Sequence, residues 1–322
     1  MEMKQLPIKI GILLLLIISC SESNRILQPE QLSALEIKYR PGDVVDYGNN
    51  TIKYYVGNTP IIITVPHDGF LSPSLLPVRT SENKNRAENT VQIAEKFYSA
   101  FTENSNSYFP HIIVNNISRA KLDPDLDIEN GAQGNTYANL YYNAYHSYVE
   151  TAIDSIEAYF SSGILINLVG HDDSKQFIEI GYYLDGSDFN LSDNELNKLD
   201  STSSIYQISS LSNADFSEII KGLSSLGGII KYDACCKPVE YSFRTWPNIE
   251  NYSSVPSKYN KGKNTIYKYS TINNIGTKIN SIDLSSPFEN FRDNEFAISA
   301  FGVILERSIK TFYEGLTNIK IY

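Results

Sequence analysis

The sequence predicts an α/β domain built on a mainly parallel sheet, and three observations carry that expectation. Short apolar runs at 61–65, 111–114 and 164–168 have the continuous hydrophobicity of buried strands. They alternate with longer stretches whose apolar residues recur at helical spacing, and such alternation implies parallel pairing through helical crossovers. Each run also ends in polar or charged residues, where open α/β sheets place their chemistry.

In chain order, Lys4 precedes an apolar run at 8–18 that is interrupted by Lys9 and Gly11 and closes on Ile17, Ile18, Ser19 and Cys20. The run is short for a bilayer span and has the form of a bacterial lipoprotein signal peptide. Residues 1–20 are therefore expected to be the signal and Cys20 the lipidated residue. An ordinary secretory signal or short anchor is the alternative. Residues 21–35 suit a tether and 36–322 one domain. The chain is thus expected to be exported and lipid-anchored to a bacterial membrane, on its periplasmic or cell-surface face.

Within the domain, 43–47, 51–56 and 60–65 are β-prone, with Gly57 and Asn58 reading as a hairpin turn between the last two. The third run stops at Pro66-His67-Asp68-Gly69, which turns a histidine outward. A polar loop with Pro73, Pro77 and Arg79 leads to an amphipathic helix at 88–101 carrying Val91, Ala94, Phe97, Tyr98 and Phe101. The strand at 111–114 runs into a charge-dense loop with Arg119, Lys121, Asp123 and Asp125. A long helix follows over about 136–160, striped by Tyr141, Tyr145, Tyr148, Ala152, Ile156 and Tyr159. His146 lies beside that stripe and is expected on the helix surface.

The strand at 164–168 breaks at Gly170 and presents His171, Asp172 and Asp173. A second β-like run, 177–184, holds Glu179. Residues 190–204 read as a polar loop, and 214–223 as a helix ended by Gly222 and the Gly227-Gly228 pair. Residues 234–280 look like a long irregular insertion, with Pro238, Pro247 and Pro256. A strand at 278–284 and an amphipathic helix at 296–316 close the chain.

Composition narrows the function. A formal charge of −10 over 322 residues argues against a nucleic-acid partner, because phosphate binding needs a basic face. Beyond Cys20 there are only the adjacent Cys235 and Cys236, which form no disulfide framework and read as semi-buried thiols without a chemical role. No nucleophile elbow, Walker loop or dinucleotide fingerprint is present.

Three strand ends present polar groups: His67 with Asp68, Arg119 with Lys121 and Asp123, and His171 with Asp172 and Asp173. Two histidines on neighbouring strands can share a metal, with a carboxylate as third ligand and water in the open position. An arginine beside them can clamp a carboxylate. The combination suits hydrolysis of an amide next to an acidic group. Two loop histidines and a surface arginine are the plain alternative, since no HExxH-type signature is present.

The stretch from Val65 to Pro73, with Leu76-Pro77-Val78-Arg79-Thr80 after it, resembles the PHxG…P opening of the N-formylglutamate amidohydrolase family. Ser118-Arg119-Ala120-Lys121-Leu122-Asp123 is similar to that family's SRxKxD segment. Gly134-Asn135, the Tyr145-His146 helix and the 164–182 stretch follow in the family's order, with Tyr259, Gly262 and the Phe296 helix as fainter matches. The resemblance implies a three-layer α/β/α fold of the phosphorylase/hydrolase-like, zinc-carboxypeptidase-like kind, and amide or peptide hydrolysis by metal-activated water. In that reading His67, His171 and Glu88 bind zinc, and Asp283 serves as base. Arg119, Lys121, Asp123 and Gln176 would hold a small acidic or peptide-like substrate.

Three departures weigh against intact chemistry. Val169 stands where the family's DLHGH segment has its first histidine, and valine binds no metal. Leu126 replaces the arginine of DxNR, and Ser285 stands near the expected glutamate base, with Asp283 and Glu289 nearby. The alternative expectation is a surface lipoprotein that keeps the hydrolase fold as a ligand-binding module.

Overall fold

The computed structural model describes residues 39–80, 83–105, 107–172, 177–235, 243–253, 255–256 and 259–321. The signal peptide with Cys20, the tether, Asp173, Gln176 and Cys236 lie outside the described residues.

In chain order the main elements are β1 (Val44–Tyr47), β2 (Ile52–Tyr55), β3 (Ile61–Val65), α1 (Thr90–Asn104), β4 (His111–Asn115) and α2 (Thr136–Tyr159). There follow β5 (Gly163–His171), β6 (Ile178–Gly181), α3 (Leu226–Cys235), β7 (Thr245–Trp246), β8 (Ile279–Pro287) and α4 (Glu295–Thr317). The eight strands form one mixed sheet in the order β1-β2-β4-β3-β5-β8-β6-β7. Its centre, β4-β3-β5-β8, is parallel. The β1-β2-β4 side and the β6-β8 pair are antiparallel, and β7 returns parallel to β6.

The apolar runs form the central strands because both of their faces are covered. All five residues of β3 are buried, as are all five of β4. Alternate residues divide between two clusters, as the twofold period of a strand requires. Ile61, Ile63, Ile164, Ile166 and Leu168 pack with Phe97 and Phe101 of α1 and with Phe301 and Leu305 of α4. Ile62, Leu165 and Ile279 pack with Tyr145, Val149, Ala152 and Ile156 of α2.

Several expectations are corrected. Gly57 and Asn58 make no hairpin, because β4 lies between β2 and β3 in the sheet. The segment crosses the start of β4 instead, with Asn58 N–H donating to the Phe109 carbonyl at 2.9 Å. A Cβ on Gly57 would lie 2.5 Å from the His111 backbone nitrogen, so this crossing requires glycine. The polar stretch after 185 is folded into short helical turns, Gly186–Asn190, Asp193–Leu196 and Asn197–Thr202. The Gly227-Gly228 pair does not end a helix but lies in the first turn of α3, where a Cβ on Gly227 would meet the Pro247 carbonyl oxygen at 2.3 Å. The expected irregular insertion contains β7 and a short helix, Asn264–Lys268.

His146 is not a surface residue. It is buried between α2 and two other segments, its Nδ1 2.6 Å from the Tyr269 hydroxyl and its Nε2 3.1 Å from the Pro124 carbonyl. Burial lowers its pKa to about 3, so it is neutral. Among the described residues, no helix is long and apolar enough to cross a membrane.

Candidate ligand cleft at the strand ends

The C-terminal ends of the parallel strands converge on a cleft of about 490 Å³. β3 delivers His67, β5 delivers Val169, Gly170 and His171, and β8 delivers Ser285. Glu179 enters from the antiparallel β6, paired in register with Ser285. Asn83, Asn85 and Arg86 come from the loop before α1, Arg119 from the loop after β4, and Tyr259, Asn260 and Lys263 from the segment before the Asn264–Lys268 helix.

The residues after β3 each have a separate structural task. His67 is 1% exposed, and its Nε2 lies 2.7 Å from Asp123 Oδ1. Asp68 completes the N-terminus of α1: its carboxylate accepts the N–H groups of Asn89 at 3.1 Å and Val91 at 2.7 Å, and pairs with Arg86 at 2.8 Å. Gly69 lets two loops touch, since a Cβ there would fall 2.2 Å from the Ile117 carbonyl oxygen. Much of the motif in this loop is thus accounted for by folding.

Asp123 is the hub of a buried charge cluster. Its Oδ1 faces His67 and accepts the Asp125 N–H at 3.1 Å. Its Oδ2 accepts Arg119 Nε at 2.9 Å and Arg79 Nη2 at 3.3 Å. Burial works to raise the Asp123 carboxyl pKa, but His67 and Arg119 outweigh it and hold the group well below the usual carboxylate range. Burial in turn keeps the His67 imidazole below its ordinary value, against the pull of Asp123. Arg79 is committed to the Arg119 and Asn83 carbonyls. Arg119 spends Nε on Asp123 and reaches the Asn85 carbonyl with Nη1 at 3.5 Å, and its Nη2 has no hydrogen-bond partner among the described residues.

Below the cleft floor lies a second acidic group. Asp283 is fully buried and accepts amide N–H groups from Asn167 at 2.9 Å and Asn260 at 2.5 Å. Burial, with Asp125 nearby, pushes its pKa well up, and the Asn167 and Lys263 groups offset only part of that rise. Asn167 also donates to Asp125 Oδ1 at 3.2 Å, while the buried Asp125 Oδ2 has no hydrogen-bond partner among the described residues and lies 4.0 Å from His67 Nε2.

The expected site residues are therefore only partly brought together. His67, His171 and Arg119 line the cleft, and so does Val169. Asp123 stands behind them. Asp283 is not part of the lining, because the Asn260 side chain covers it. Glu88 has an exposed side chain away from the cleft, and its carbonyl accepts Arg292 Nη1 at 2.5 Å. Lys121 clamps the 70s loop through the carbonyls of Pro73 at 3.0 Å and Leu76 at 2.7 Å, and does not face a ligand. Gln176 lies outside the described residues.

The implied zinc can be tested against these donors. His67 Nε2 is occupied by Asp123, and His171 Nε2 donates to the Phe177 carbonyl at 2.8 Å. Among the described residues, no group of three or more His, Cys, Asp or Glu side chains is arranged to hold a metal ion. The described donors do not by themselves supply a complete zinc shell.

Several residues in or beside the cleft escaped prediction as site residues, Asn83, Asn85 and Arg86 of the loop before α1 among them. Glu179 had a readable signal, a lone charge in a β-like apolar run, and its Oε2 accepts the Asn260 N–H at 3.1 Å. Lys263 and Asn260 had none beyond the nearby Gly262, which adopts φ 104°. Arg292 is a buried guanidinium bonded to the Ser286, Glu88 and His171 carbonyls. It occupies the space where a side chain on Gly170 would be, 2.4 Å from the position of a Cβ, and so fixes the end of β5.

No family model matches the chain. No curated protein matches it either. Among solved structures, the chain is similar to gene product Atu2144 from Agrobacterium tumefaciens, with a TM-score of 0.45 and 10% sequence identity, covering 84% of this chain and 95% of that one.

Proposed function

We propose that the chain carries a hydrolase-like, three-layer α/β/α domain of the zinc-carboxypeptidase kind as a binding module for a small acidic ligand, displayed by an exported, lipid-anchored protein. One observation supports this reading above the rest. In a chain of net charge −10 the cleft gathers Arg86, Arg119 and Lys263, and Lys263 makes no ion pair among the described residues. The lining also carries Asp172 and Glu179, and Arg86 and Arg119 are paired with Asp68 and Asp123, so Lys263 is the lining cation among the described residues that an anion would meet without an ion-pair partner.

A second reading, zinc-dependent hydrolysis of an amide in an acidic or peptide-like substrate, is favoured by His67 and His171 lining the same cleft. One experiment separates the two. The purified domain is titrated with N-formyl-L-glutamate and with glutarate by calorimetry, then incubated with N-formyl-L-glutamate and zinc while formate is assayed. Saturable binding that weakens about tenfold in Arg119→Ala, without formate, supports the binding module. Metal-dependent formate release would establish the hydrolase, and no binding of either probe would remove the acidic-ligand reading.

A further inference from the structure

We propose that the ligand of the cleft carries an apolar arm beside its acidic group, and that the loop after β3, residues 69–80, is the lip that receives the arm, with Phe70 as the contact at the rim. The proposal rests on the acidic-ligand reading above and names the rest of that ligand: an acidic residue joined to an apolar one, as in a short peptide.

The lip is apolar, exposed and fixed. Phe70 is 69% exposed, Leu75 60% and Val78 59%. The backbone between them is pinned from below. Leu71 forms a parallel bridge to Ile117, its N–H donating to the Asn116 carbonyl at 2.8 Å and its carbonyl accepting the Ser118 N–H at 2.7 Å. Lys121 Nζ holds the Pro73 and Leu76 carbonyls, the Leu76 side chain is buried, and the Arg79 N–H donates to the Ala120 carbonyl at 2.7 Å. Side chains that project from a backbone held in this way form a surface that needs little further ordering to bind. From Gly69 to Thr80 the one charged residue is Arg79, and it is buried. The lip therefore offers apolar area without charge.

Continuity with the cleft assigns the occupant. The Arg86 guanidinium carbon lies 5.6 Å from the centre of the Phe70 ring, and Arg86 also lines the cleft. Asp68 fixes that arginine, accepting its Nε at 2.9 Å. The apolar rim thus begins on the far side of a single guanidinium from the polar lining. Within the lining, Val169 adds an apolar wall among Asn83, Asn85 and Lys263. The volume of about 490 Å³ falls in the range of roughly 300–1,000 Å³ that holds drug-sized ligands, and a bare dicarboxylate such as glutarate fills only part of it. A cationic wall that ends in a fixed apolar lip matches a ligand with both characters.

The test is an affinity ratio, read by calorimetry on the purified domain. Glu-Leu is compared with Glu-Gly, and Leu-Glu with Gly-Glu, so that the apolar side chain is tried on either side of the acidic residue; glutarate is titrated alongside. In one of the pairs the leucine dipeptide should bind about five- to tenfold tighter than its glycine counterpart. That ratio should fall to about one in Phe70→Ala and be largely kept in Phe70→Leu, at equal fold content by circular dichroism. Because Phe70 is exposed, neither variant disturbs the core.

A ratio of about one for both pairs in wild type, or a ratio that Phe70→Ala leaves unchanged, would overturn the inference while glutarate binding keeps the acidic-ligand reading. Binding of none of the five probes would remove that reading, and the arm with it. Sedimentation velocity and flotation with phosphatidylcholine–phosphatidylglycerol vesicles are run on the same variants. Self-association or vesicle binding that is lost in Phe70→Ala would give the lip to a second copy of the chain or to a lipid surface, and would equally overturn its assignment to the ligand.

Discussion

The buried His111 makes stability depend on pH in a way that can be worked out in advance. Its Nδ1 accepts the Gly57 N–H at 3.1 Å and lies 2.7 Å from the Tyr54 hydroxyl, so the proton sits on Nε2, which is buried without a partner among the described residues. A second proton on Nδ1 would face the Gly57 donor, and burial already lowers the pKa from 6.5 to about 3. The unfolded chain takes up that proton below 6.5, whereas the folded chain does not. The stabilisation from His111 is thus complete above 6.5 and is lost as pH falls toward 3. At about pH 5 the loss is roughly 1.5 units of 1.36 kcal/mol each, or about 2 kcal/mol, and at about pH 7.5 it is close to zero. His111→Gln keeps an acceptor for Gly57 but cannot titrate. Urea unfolding of both proteins at the two pH values should show the stability gap between wild type and variant narrowing by about 2 kcal/mol on acidification. A gap that is equal at both pH values would show that the imidazole is protonated within the fold and would refute the argument.

Other perturbations follow from the same contacts. Asp283 has a raised pKa, so its contribution to stability is present below the usual carboxylate range and is lost as pH rises; the gap between wild type and Asp283→Asn should therefore narrow with rising pH, measured by urea unfolding across that range. Gly170→Ala places a methyl group 2.4 Å from the Arg292 guanidinium, which three carbonyls hold in place, and should cost about 2–3 kcal/mol in the same assay. Lys121→Met removes two charge-assisted bonds to the 70s loop and should destabilise by about 1.5–3 kcal/mol while glutarate affinity stays unchanged; weakened affinity at full stability would place Lys121 in the binding site after all.

The central strands were legible because continuous burial on both faces demands continuous apolar runs, and the long helices because their stripes face one cluster each. Strand order was not legible. Nothing local to Gly57 says that β4 will insert beside β2; the decisive contact, the Gly57 backbone against His111, spans more than fifty residues of chain. His146 shows the same limit: helical spacing placed it beside the apolar stripe, but its burial comes from Pro124 and Tyr269, which belong to other segments. At the cleft, His67, Arg119 and His171 were readable as polar residues at strand ends. Lys263 and Asn260 were not, because their stretch has no periodicity and reaches the sheet only through tertiary contacts. Arg292 was hidden for a related reason. A buried arginine satisfied by backbone carbonyls looks in sequence like any surface charge, and only the glycine opposite it marks the space it needs.

The side chain of Asn260 has a consequence for local motion. It covers Asp283 while its backbone N–H holds Glu179, so a single residue separates an acid of raised pKa from water and also forms part of the cleft wall. An opening of that segment that exposed Asp283 to solvent would bring its pKa back toward the ordinary carboxylate range. Opening therefore releases a proton, and its equilibrium shifts toward the open form by about tenfold per pH unit between the ordinary carboxylate pKa and the raised one. Amide hydrogen exchange at 259–263, once corrected for its intrinsic pH dependence, would register that shift as a loss of protection in alkaline buffer.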